Sequence, residues 1–99
     1  MKQVKTLADL IAMQPRERDA WFAERFGWGC IPYFTTENNG SAALKAEMVK
    51  LGYWWKSEYH DGGYIFSIQH VNDTFKYVID ADTETEATWK AAALALLGE

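Results

Sequence analysis

Four carboxylates recur at every second position late in the chain: Asp80, Asp82, Glu84 and Glu86. Oxygens at the first, third and fifth positions open a calcium-binding loop, but that loop also needs glycine at its sixth position and a bidentate glutamate at its twelfth. Thr85 and Ala91 stand there instead. The run therefore reads first as the charged start of a helix, where acids meet the positive end of the helix dipole. The competing reading is an acidic edge for a protein partner. The two histidines do not make a metal site, which needs three or four convergent ligands. His60 adjoins a tight turn and reads as solvated, and His70 reads as a hydrogen-bonded residue at the edge of the core. Cys30 as a nucleophile would need a neighbouring base and a lowered pKa. No local motif supplies either, so a small, semi-buried thiol is expected. There is no G-x-S-x-G, no phosphate-binding glycine loop and no close carboxylate pair with a substrate cleft. The expectation is a non-enzyme with no catalytic residue, no metal and no cofactor.

These side chains need elements to place them, and the stretch from Tyr53 to Asp80 is the clearest. A hairpin turning at Asp61-Gly62 pairs Tyr59 with Tyr64, Ser57 with Phe66, Trp55 with Ile68 and Tyr53 with His70. A second hairpin turning at Asn72-Asp73 pairs His70 with Phe75, Ile68 with Tyr77 and Phe66 with Ile79. Side chains alternate faces along a strand, so all of these share one side of a three-stranded antiparallel meander over residues 53–59, 64–70 and 74–80. The other side collects Trp54, Lys56, Glu58, Ile65, Ser67, Gln69, Lys76, Val78 and Asp80, with Glu58 and Asp80 flanking Ile65. The leading expectation for that side is a covering helix with Trp54 at its rim. Left open, Trp54, Lys56, Gln69 and Lys76 could stack on a planar ligand or anchor a protein. An outer strand of the meander also offers a backbone edge to another chain, including a second copy.

Helices are expected to pack with the meander. Thr6-Leu7-Ala8-Asp9 has capping-box spacing and opens a helix over 6–13. Pro15 separates it from one over 16–26, with Phe22 and Phe26 on one face, stopped by Gly27 and Gly29. The stretch 36–41 reads as a loop or a helix start and leads to a helix over 41–51, and Thr83-Glu84-Thr85-Glu86 caps another over 83–97. The fold class is α+β, and 99 residues make a single domain, 1–99. Aromatic residues are 15% of the chain, and their large buried area offsets the small size of the core. The net charge of −4 argues against direct binding of nucleic acid or an anionic membrane. It suits a basic protein partner, including one that itself binds nucleic acid. One cysteine excludes an internal disulfide, and no apolar run approaches a membrane span or a signal segment, so a cytoplasmic location is expected.

The segment Asp19-Ala20-Trp21-Phe22-Ala23-Glu24-Arg25-Phe26-Gly27-Trp28 resembles the opening helix and Gly-Trp turn of the phage ABA sandwich domain family. Pro32-Tyr33-Phe34-Thr35-Thr36 before an Ala-rich helix, Gly62-Gly63-Tyr64, and the closing Ala81-Asp82-Thr83 with Ala87 are similar to it in the same order, over residues 16–97. Glu37-Asn38-Asn39-Gly40 departs from the pattern, where the family runs straight into its helix. The resemblance implies a small phage or prophage product with helices around a sheet, and it brings no catalytic residues. Together with the acidity, it implies a protein-binding module that inhibits a bacterial anti-phage defence system by binding a host protein through Glu58, Asp80, Asp82, Glu84 and Glu86. The alternatives are a protein that sequesters a small ligand, such as a nucleotide signal, and a structural or assembly protein of a phage.

Overall fold

The helix starts follow from side chains that satisfy otherwise unpaired backbone donors. In the computed structural model, which describes residues 4–72 and 76–98, Thr6 and Asp9 exchange side-chain and backbone hydrogen bonds to open α1 (Leu7–Ile11). Pro15 occupies the first turn of α2 (Pro15–Phe26), and Gly27, at φ +74°, ends it. Thr83 Oγ1 accepts from the Glu86 N–H at the start of α4 (Glu84–Leu97). Between them lie α3 (Asn38–Lys50) and the strands β1 (Tyr53–His60), β2 (Gly63–His70) and β3 (Lys76–Ala81). The sheet order is β1-β2-β3, antiparallel throughout.

The register is the expected one: Tyr53 with His70, Trp55 with Ile68, Ser57 with Phe66 and Tyr59 with Tyr64, then Phe66 with Ile79 and Ile68 with Tyr77. Asp61 and Gly62 have φ of +49° and +83°, the positive values that a two-residue type I′ hairpin requires at both central positions. The expected pairing of His70 with Phe75, and the tip at Asp73, lie outside the described residues.

All the helix packing falls on one face of this sheet. Phe66 and Ile68 are buried there beneath α4, which packs on β2 and β3, while α3 packs on β1 and α1 on α4. Helix α4 is central. Ala87, Ala91, Ala92, Ala93 and Ala95 are all buried with Trp89, so the helix is enclosed round most of its circumference rather than along a single stripe. Leu94 is only half-buried. On the other face, among the described residues, no element covers the sheet: Trp54 is 46% and Val78 50% exposed. The expected covering helix is absent there because the helices have enough apolar surface to cover one face, and the alternating polar residues make the second face stable in water.

Helix α3 starts three residues before the expected boundary, so of the two readings of this stretch the helix start holds: Glu37-Asn38-Asn39-Gly40 forms its cap and first turn. Asn and Gly are weak helix formers, but here packing decides. A Cβ at Gly40 would lie 1.9 Å from the Tyr33 carbonyl oxygen, so only glycine lets the helix close on the segment before it. That segment is held by Phe34, which is fully buried with ring centroids 6.1, 5.9 and 5.6 Å from Phe22, Phe26 and Trp28. It is also held by the buried Asp19. One carboxylate oxygen accepts from the Thr35 N–H at 2.9 Å and the Thr35 hydroxyl at 2.7 Å, and the other accepts from Arg16 at 2.9 Å. Among the described residues no helix is long and apolar enough to cross a membrane.

Candidate functional site

Alternation along three paired strands lays out the uncovered face in rows. Trp54, Gln69 and Lys76 form the first, Lys56, Ser67 and Val78 the second, and Glu58, Ile65 and Asp80 the third. Beyond the third row comes the His60–Gly63 turn. Lys56 and Glu58, two apart on β1 and therefore on the same side, form an ion pair at 2.5 Å. Glu58's hydrogen bond and charge raise the Lys56 pKa above its ordinary value. Lys56, through its hydrogen bond and then its charge, holds Glu58 below the usual carboxylate value, with smaller contributions from His60 and Lys76. Both side chains are solvated, so the pair sets local charge and contributes little stability.

At the turn end, this face opens into a shallow depression of about 440 Å³. Glu58, Asp61, Asp80 and Asp82 supply four carboxylates to its wall, joined by His60 and Ile65. Gly63 forms part of its surface; a Cβ there would come within 3.3 Å of Asp80 Oδ1 and 3.4 Å of the Ala81 carbonyl. Among the described residues no three acidic, histidine or cysteine side chains converge closely enough to hold a metal ion. Nor does any lysine or arginine form an ion pair with Asp61, Asp80 or Asp82. The arrangement is a spread of negative charge beside exposed apolar surface, suited to an extended cationic partner rather than a point charge.

The five acids expected to act together separate into two groups. Glu58, Asp80 and Asp82 share the depression. Glu84 instead reaches Lys45 on α3, and Glu86 pairs with Lys90 one helical turn along at 2.6 Å. Asp82 and Glu84 still meet at a neighbouring hollow of about 490 Å³ with Asn38, Tyr64 and Thr85. Asp61 was not among the expected acids. The signal for it was the hairpin register, which puts the Asp61 turn at the same sheet end as Asp80 and Asp82. Of the expected ligand face, Trp54, Gln69 and Lys76 do form one row; Lys56 lies one row on and is tied to Glu58.

The remaining candidates fall elsewhere. His60 is exposed. His70 packs its ring against Tyr53, 5.0 Å between centroids, and its Nδ1 accepts from the Asn72 N–H at 3.1 Å. Cys30 is exposed, not semi-buried. Its loop is anchored on one side by Trp28 and Phe34 and on the other by Arg16, which donates to the Ile31 carbonyl at 2.9 Å, and the thiol between them is left outward. Comparison of the chain with models of known protein families, with curated proteins and with solved structures finds no match.

Proposed function

We propose that this chain is a protein-binding module that docks a basic protein through the uncovered face of its sheet. The observation that supports this most is the arrangement on that face: exposed Val78 in the row beside Glu58 and Asp80, exposed Trp54 one row further along, and four carboxylates at the turn end, three of which have no cationic partner among the described residues. An apolar centre with a charged rim is the usual anatomy of a protein interface, and complementary charge gives such a contact its partner choice and on-rate. The resemblance to phage ABA sandwich proteins extends the proposal to a partner class. The partner is a nucleic-acid-binding component of a bacterial defence system, whose basic surface the acidic end occupies, and inhibition follows from binding without catalysis.

The test is native mass spectrometry of the tagged protein purified gently from a bacterial lysate, beside the Asp80→Lys, Asp82→Lys double variant. A stoichiometric basic protein carried by the parent chain and lost from the variant is the expected result. A partner retained equally by both would remove the acidic end from the interface, and a bare oligomer would favour an assembly role through the edges of β1 or β3.

A further inference from the structure

On the helical side of the molecule, Arg18 stands in an unusual setting for a guanidinium. It projects from α2 over the ring of Trp89 on α4, 4.6 Å from the centroid. Its Nε is buried and has no hydrogen-bond acceptor, and no carboxylate among the described residues pairs with it. Trp89 is itself buried. Arg18 lines a pocket of about 270 Å³ together with Thr83, Glu86 and Lys90.

The donors around this pocket come from two elements, α2 and α4 with its N-cap. Arg18 offers a planar fork from α2. Lys90 lies on α4 and spends one donor on Glu86 at 2.6 Å, leaving two. Thr83 Oγ1 accepts from the Glu86 N–H at 3.1 Å, so its own hydrogen is free to donate. Thr35, also on the wall, is different: its hydroxyl already donates to Asp19. With Glu86 balancing Lys90, the pocket carries one uncompensated positive charge in a chain of net charge −4. Ile11, 49% exposed, gives the wall an apolar side.

We propose that this pocket binds the phosphate group of a small molecule, with Arg18, Lys90 and Thr83 as its donors. Three donors from two elements can serve several oxygens of a tetrahedral oxyanion, where a planar carboxylate offers only two, and a guanidinium can hold two phosphate oxygens at once. Ile11 would lie against the carbon part of such a ligand. The site shares no lining residue with the acidic depression, although Thr83 adjoins Asp82, and it does not depend on the protein-binding reading.

The test is titration of the full chain with inorganic phosphate at constant ionic strength, following the Arg18 Nε–H resonance by NMR, with acetate as the planar comparison. Phosphate is expected to give a saturable shift, and acetate a much weaker one. Arg18→Met is expected to weaken binding, read by the Thr83 and Glu86 amide shifts, by about tenfold or more. Glu86→Gln frees Lys90 and is expected to tighten it by roughly tenfold, the equivalent of one charged hydrogen bond passed to the ligand. The gain in Glu86→Gln is the critical reading, because a purely structural Arg–Trp stack would not produce it. The proposal is overturned by the absence of a saturable shift, by acetate binding as well as phosphate, or by a Glu86→Gln variant that binds no better than the parent.

Discussion

Asp19 is a buried carboxylate that ties the irregular segment before α3 to the helix beneath it, and its removal makes a sharp test of the packing argument. In Asp19→Ala the Thr35 N–H, now bonded at 2.9 Å, loses its acceptor at a site where Thr35 is only 6% exposed. A buried donor left unpaired costs about 1–3 kcal/mol. The Thr35 hydroxyl also loses its 2.7 Å bond, but it can rotate, so its share is about 1 kcal/mol. Arg16, with its side chain 49% exposed, returns to water at little cost. The sum is about 3 kcal/mol, which for a domain of this size lowers the melting temperature by roughly 12–24 °C. Asp19→Asn keeps an acceptor for Thr35 and loses only the charge, so its expected cost is about half. Urea unfolding followed by tryptophan fluorescence measures both, and hydrogen exchange at the Thr35 amide shows whether the damage is local. A cost below about 1 kcal/mol for the alanine variant, or equal costs for the two, would refute the assignment of Asp19 as the anchor.

Two further predictions use the same chain of reasoning. Gly40→Ala places a Cβ 1.9 Å from the Tyr33 carbonyl oxygen and is expected to cost about 3 kcal/mol or more by overpacking, whereas Gly27→Ala, with open space around it but φ +74°, is expected to cost about 1–2 kcal/mol; thermal melts of the pair give the order. On the open sheet face, Lys56→Met should raise the Glu58 titration midpoint in a carboxylate-detected NMR titration, with almost no change in the unfolding midpoint at neutral pH. The sign follows from the directions of the shifts. Glu58's lowered pKa gives a stabilising contribution that is present above the unfolded carboxylate value and lost as pH falls through the folded one. Lys56's raised pKa gives one that is present below the unfolded lysine value and lost as pH rises through the folded one.

What could be read from the residues divides along physical lines. The meander was legible because period-two alternation and a turn needing positive φ at Asp61 and Gly62 are both local, and they agree on one register. The ends of α1, α2 and α4 were legible from their caps to within a residue or two. The start of α3 was not, because it depends on how closely Gly40 approaches Tyr33, a contact between segments. The same holds for Asp19, which in sequence is one more acid on a helix and in the fold is a buried hub for Arg16 and Thr35. The coverage of the sheet was undecidable from alternation alone. A polar face studded with Trp54, Ile65 and Val78 suits either a partial second layer or open solvent, and only the placement of all four helices on the opposite face settles it.

The distribution of charge gives the acidic end more meaning than the net charge does. Of the acids that pattern and composition grouped together, Glu84 and Glu86 are neutralised locally by Lys45 and Lys90, and Glu58 by Lys56. Asp61, Asp80 and Asp82 have no such partner among the described residues and gather at one end of one face. Three like charges held together cost folding energy through mutual repulsion, and nothing in the packing of the core requires them there. That cost is offset if a cationic surface meets them, and the encounter should then be steered from a distance. Since the Debye length shrinks to about 8 Å at physiological salt, association with a true partner should slow steeply as salt rises, with dissociation changing much less. A binding rate indifferent to salt would mean that Trp54 and its apolar neighbours, rather than the carboxylates, select the partner.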